Sequence, residues 1–60
     1  MSETLGAAAC RLGLTSGFAE VRRLIAGGGI FINDVPAKEW NQIVHQGDVI
    51  RIGKRRTGVV

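Results

Sequence analysis

Apolar positions at the start of the chain recur with the step of a helix. Leu5, Ala8, Ala9 and Leu12 stand at i, i+3, i+4 and i+7, and the run Ala7-Ala8-Ala9 adds intrinsic helicity. This spacing predicts a first helix over roughly Glu3 to Leu12. Ser2 is placed to cap it, Glu3 suits the positive end of its dipole, and Gly13 followed by Leu14 fits a left-handed stop with a hydrophobic contact behind it. Arg11 falls on the flank near the C-terminal end. After Thr15, Ser16 and Gly17 break the pattern, Phe18, Val21, Leu24 and Ile25 form a second stripe, which predicts a helix from about Phe18 to Ala26. Glu20 stands at capping-box distance from Gly17, although glycine has no side chain to complete the box. At about 100° per residue, Arg22 lies on the flank of the stripe and Arg23 nearly opposite it.

From Gly27 the period changes. Gly27, Gly28 and Gly29 end the helix, and Ile30, Phe31 and Ile32 form a strand run. Asn33 and Asp34 tolerate the left-handed backbone of a hairpin turn, Val35 begins the return strand, and Pro36 belongs at an edge or an exit. Ala37 to Val44 has no clean period. There Trp40, Ile43 and Val44 are expected to cover the open side of the core, with Lys38, Glu39, Asn41 and Gln42 facing out. His45, Gln46, Gly47 and Asp48 make a second turn, and Val49 to Ile52 alternate as a half-buried strand with Ile50 and Ile52 on one face and Arg51 on the other. Gly53 punctuates it. Lys54, Arg55 and Arg56 follow, and Thr57 to Val60 read as one more short strand or a frayed end.

Sixty residues make one small domain, and a domain of this size buries only about 60% of the surface of its unfolded chain, which leaves no room for a large enclosed active site. No run approaches the roughly 20 apolar residues of a membrane span, so a soluble chain away from membranes is expected. The start Met-Ser-Glu-Thr lacks the cationic region of an export signal. The single cysteine, Cys10, cannot form an internal disulfide, which fits a reducing compartment: the cytoplasm or the mitochondrial matrix. The formal charge is +3 at pH 7. Glu3, Glu20, Asp34, Glu39 and Asp48 are scattered, whereas Arg22 with Arg23, and Lys54 with Arg55 and Arg56, are grouped, the arrangement that favours a polyanion.

Catalytic chemistry finds little support. His45 sits in a turn without a nucleophile or carboxylate paired to it, and Asp34 and Asp48 occupy turn positions where aspartate serves local hydrogen bonds. All three are read as structural, so no catalytic residue is assigned. One cysteine and one histidine fall short of a four-ligand zinc site, and no metal or other cofactor is expected in this domain. The three glycines follow a helix and open a strand, the reverse of a phosphate-cradling loop. For Arg22 and Arg23 the plain alternative is a solvated helix face with a weak Glu20 to Arg23 pair. Arg51 and the Lys54 to Arg56 group, in so small a domain, shift the balance to phosphate, whose oxygens the planar guanidinium meets in two bonds. Trp40 is the only tryptophan and tyrosine is absent. Partial burial over the core is favoured for it over a platform for bases, and backbone and shape recognition of folded RNA fits better than stacking.

Glu20-Val21-Arg22-Arg23-Leu24-Ile25, the glycines Gly28 and Gly29, Ile30-Phe31-Ile32-Asn33, and Gly47-Asp48-Val49-Ile50-Arg51 stand in the order of the motifs of the RNA-binding domain named after ribosomal protein S-four. The chain resembles that family from about Leu12 to Arg56. Its pattern runs Glu-Ala-Arg-Arg-Leu-Ile, a glycine turn, a strand ending Val-Asn-Gly and a closing Gly-Asp-x-Ile. The double glycine with Ile30 to Asn33, and the ending Arg51 to Arg56, look most like the C-terminal domain of bacterial-type tyrosyl-tRNA synthetases; heat-shock, pseudouridine-synthase and ribosomal members share the motifs.

The resemblance implies an α+β fold: two N-terminal helices packed on a small, mostly antiparallel sheet, as one domain over residues 1–60 that is a fragment of a longer chain. It implies a non-catalytic, monomeric module for structured RNA, foremost tRNA, with tyrosine activation by ATP in a separate upstream domain. Gly17 replaces a capping serine, Phe18 stands where a basic residue is common, Ala26 and Gly27 stand where lysine and glutamine are frequent, and Asp34 replaces the hairpin glycine. The helical face is thus less cationic than the family pattern, and weight shifts to the closing strand. Arg11, Arg22, Arg23, Arg51, Lys54, Arg55 and Arg56 are the expected phosphate contacts, with Asn33 at backbone or ribose. A protein-interaction domain for an acidic partner is the alternative of another class.

Overall fold

The computed structural model describes residues 3–60. The elements are β1 (Glu3–Thr4), α1 (Leu5–Arg11), α2 (Phe18–Ala26), β2 (Ile30–Ile32), β3 (Val35–Pro36), β4 (Ile43–Val44), β5 (Val49–Ile52) and β6 (Arg56–Val59). Four strands form one sheet in the order β3-β2-β5-β6, and β1 pairs with β4 in a second, two-stranded one. Every ladder is antiparallel. The architecture is the expected α+β arrangement of two helices with a small antiparallel sheet.

The first helix starts two residues later than its apolar spacing suggests, because Glu3 and Thr4 are drawn into pairing with Val44 and Ile43. Ser2, the expected cap, lies outside the described residues. Thr4 caps instead, its Oγ1 accepting from the Ala7 N–H at 3.2 Å. The free N–H groups of Leu5 and Gly6 donate to the carbonyls of Gln42 at 2.7 Å and Trp40 at 2.9 Å. Three orphan donors of the helix start are thus met, two of them by the aperiodic segment, which is pinned there in return.

Both helices end in the same way. Gly13 (φ 76°) and Gly28 (φ 71°) adopt the left-handed conformation. Around them, Leu14 N–H reaches Ala9 O at 2.9 Å, Gly29 N–H reaches Leu24 O at 2.8 Å, and Gly13 and Gly28 donate to Cys10 O and Ile25 O. This is the paired 6→1 and 5→2 bonding of a Schellman stop. At the start of α2, Gly17 provides no side-chain cap. The Glu20 carboxylate instead accepts from the Ser16 N–H at 2.8 Å, half of a capping box shifted by one residue.

Strand alternation turns Ile30, Ile50 and Ile52 inward, where they join Leu5, Ala8, Leu14, Ala37 and Val44 in the core. Val21 is the α2 residue buried completely, while Leu24 and Ile25 cover the edge of the core. Gly58 faces inward opposite Ile50; a Cβ there would stand 3.1 Å from Leu12 and 3.2 Å from Leu14, so the missing side chain lets β6 lie close under the end of α1. The chain end is a strand, not a fray: Val60 N–H donates to Asp48 O at 2.9 Å and Gly47 N–H to Val60 O at 2.8 Å.

Two expectations for the core need correction. Ile43 is 50% exposed and Trp40 36%; Val44 covers the core as expected, and Ala37 joins it there. Val44 points inward on β4, so its neighbour Ile43 must point out. Phe18, expected in the α2 stripe, is 48% exposed. It sits at the first turn, where its ring lies on Gly6: a Cβ at Gly6 would come within 2.7 Å of the ring.

Candidate nucleic-acid interface

The α2 stripe turns Val21 into the core, which leaves Arg22 and Arg23 exposed as expected. Arg22 reaches across to Trp40, its guanidinium 5.7 Å from the ring centroid, within cation–π range. Trp40 in turn meets Phe18, with centroids 5.6 Å apart and planes at 54°. Phe18, Trp40 and Arg22 therefore form a continuous line beside α2.

Lys54 and Arg55 occupy the turn of the β5–β6 hairpin, which Gly53 (φ 61°) allows. Arg56 is not part of that turn. It pairs with Ile52 in the sheet, and its Nη1 donates to Leu14 O at 3.3 Å, tying the hairpin to the loop between the helices. All three cations are exposed.

The other residues expected at the interface have partners within the chain. Arg11 is bound to the Glu3 carboxylate through Nη2 and Nε. That contact holds the Glu3 carboxyl below its ordinary range and raises Arg11, chiefly through the side-chain hydrogen bond. Arg51 stacks over Phe31, 4.5 Å from its centroid, because the two are cross-strand partners on the face of the sheet away from the core. Its Nη1 is 3.6 Å from Asp34, and its Nε is buried without a hydrogen-bond partner.

Asn33 is a brace. Its backbone is left-handed (φ 51°), and the Val49 N–H is received by its side-chain Oδ1 at 3.0 Å. Its Nδ2 donates to Asp48 at 3.2 Å, and the other Asp48 oxygen accepts from the His45 N–H at 2.8 Å. The His45 backbone bond, then Asn33, depress the Asp48 carboxyl below the ordinary aspartate value. Among the described residues, no three His, Cys, Asp or Glu side chains converge on a metal-sized site, and no helix is long and apolar enough to cross a membrane.

Among the described residues the ion pairs are Arg11–Glu3 and Arg51–Asp34. Arg22, Arg23, Lys38, Lys54, Arg55 and Arg56 form none, whereas Glu3, Glu20, Asp34 and Asp48 are each engaged inside the fold. Apart from the exposed Glu39, the acidic side chains have partners within the chain, whereas these six cations have no acidic partner among the described residues. Lys38, which the sequence places only as an outward-facing residue, shares a groove with Arg22 and Trp40. The pointer in the sequence was the Lys-x-Trp spacing inside a segment without period. Comparison with protein families, curated proteins and solved structures finds no match to this chain.

Proposed function

We propose that this chain is a non-catalytic module that binds structured RNA, foremost tRNA, through phosphate contacts from α2 and the β5–β6 hairpin. The observation that carries it is the separation of charge just described: Arg22, Arg23, Lys54, Arg55 and Arg56 form no ion pair among the described residues, while four of the five carboxylates serve backbone caps, braces and internal pairs. Arg22 and Arg23 act from a rigid helix, and Lys54 and Arg55 from a hairpin tip anchored by Arg56. The Gly53 N–H donates to Gly29 O at 2.8 Å, which sets the hairpin turn beside the glycine stop of α2 and within reach of the same folded RNA. Arg11 and Arg51 contribute less because Glu3 and Asp34 offset their charge, and Asn33 positions the turns.

The motif order from Glu20 to Arg51 supports an S-four-type RNA-binding domain, and the Gly28 to Asn33 and Arg51 to Arg56 stretches support the tRNA-binding end of a tyrosyl-tRNA synthetase. In that reading this domain grips the tRNA, and a separate domain activates tyrosine with ATP. Fluorescence-anisotropy titration of a labelled tRNA tests the surface. Joint Arg22→Glu and Arg23→Glu substitution is expected to weaken binding about 100-fold, the loss of two charge-assisted contacts, with unchanged circular dichroism. Unchanged affinity in the folded double variant contradicts the proposal. Capture of acidic proteins in place of RNA selects the protein-docking alternative.

A further inference from the structure

Between α2 and the segment 37–42 lies an open groove of about 390 Å³ lined by Arg22, Ile25, Ala26, Lys38, Glu39, Trp40 and Asn41. Its volume is at the small end of the roughly 300–1,000 Å³ of small-ligand sites. Its chemistry is mixed in a specific way. Ile25 and Ala26 give an apolar floor, Trp40 gives an aromatic face, and Arg22 and Lys38 give two cations. Glu39 adds a carboxylate and Asn41 an amide. A bare polyphosphate would meet repulsion from Glu39 and would leave the tryptophan idle. An apolar side chain from a protein would leave Lys38 and Arg22 without an anion. A nucleotide uses every part: a flat base, one phosphate, and an edge of donors and acceptors.

We propose that this groove takes one unpaired nucleotide of the bound RNA, its base held between Trp40 and Arg22 and its phosphate on Lys38. The inference rests on the RNA-binding reading and adds a base-reading element to it. Bases stack on aromatic rings and on guanidinium planes alike. The guanidinium is 5.7 Å from the ring centroid, whereas a base between two partners needs two stacking steps of roughly 3.4 Å. Arg22 is exposed, and its side chain swings outward to admit the base. Trp40 stays in place because its backbone carbonyl holds the Gly6 N–H and its ring rests on Phe18. Glu39 and Asn41 meet the edge of the base, where a carboxylate accepts from an exocyclic amine.

Trp40 is the only tryptophan in a chain without tyrosine, so intrinsic fluorescence reports on this one ring. Two RNA hairpins serve as probes, one with a single bulged adenosine and the other fully paired. The bulged hairpin is expected to quench the tryptophan strongly at saturation and to bind about tenfold more tightly, toward the low end of what base–aromatic stacking contributes. The paired hairpin binds without quenching. Trp40→Ala abolishes the tenfold preference, and Trp40→Phe, which keeps a stacking ring, restores most of it. Should Trp40→Ala not fold, the quenching difference in the unaltered chain decides alone. Equal quenching and equal affinity for the two hairpins overturn the inference. If both then still bind with strong salt dependence, the RNA-binding reading stands; if neither binds, both readings fall.

Discussion

Asp48 shows how much of this surface is structural. One carboxylate oxygen takes the His45 N–H and the other the Asn33 amide, so the two turns at residues 33–34 and 45–48 are locked together by a single side chain. Because the folded-state pKa is depressed, the stabilisation is complete above the ordinary aspartate value and is lost as pH falls through the lower folded one. Glu3, depressed by Arg11, adds to the same slope. Thermal unfolding followed from neutral to strongly acidic pH should therefore show Tm falling on the acid side. Asp48→Asn should lower Tm at neutral pH and flatten that fall; an identical slope in both proteins contradicts the assignment. Asn33→Ala removes two hydrogen bonds and leaves a left-handed alanine, an expected loss of about 2–4 kcal/mol in urea denaturation. The turn residues Asn33 and Asp34 were legible in the sequence, since few residue types accept positive φ. The role of the Asn33 side chain was not, because its partners lie fifteen and sixteen positions away and become neighbours only once β2 and β5 are in register.

At the scale of elements, the glycines after α2 divide the work. Gly28 must be left-handed (φ 71°), while Gly27 has an ordinary helical φ of −87°, and a Cβ there would meet Arg23 O at 3.5 Å, an ordinary contact. Gly28→Ala is expected to cost about 1–2 kcal/mol. Gly27→Ala should be neutral or slightly stabilising through its smaller unfolded-state entropy. Equal losses at the two positions in denaturant titrations would contradict the stop described above. The glycine stops of both helices, the Ile30–Ile32 strand and the Val49–Ile52 alternation could be read in advance because each is signalled locally, by glycine, by β-branched side chains or by a period of two. The β1–β4 pair could not: two residues have no period, and Glu3 and Thr4 look like a helix start until the carbonyls of Trp40 and Gln42 are seen to occupy the next N–H groups. The same gap hid the groove, whose Trp40 wall is set by that anchoring.

The whole molecule rests on a small core, in which Leu5, Val21, Ile30, Val44 and Ile50 are the large side chains with no exposure. A domain of this length seldom has more than about 3–5 kcal/mol in hand, and Ile50→Ala removes about 2–5; that variant is expected to be largely unfolded at 25 °C by circular dichroism. The same smallness keeps the cations within a Cα envelope of 28 × 20 × 19 Å, so that under the proposed function a modest charge of +3 serves phosphate binding. If Arg22, Arg23, Lys54 and Arg55 each neutralise one phosphate, log affinity falls against log salt with a slope of about −3, at roughly 0.7–0.9 per contact. The most direct measurement is the dissociation constant for a folded tRNA between 50 and 200 mM salt. Binding should weaken about 60-fold over that range; an affinity that does not change with salt would contradict phosphate recognition by these residues.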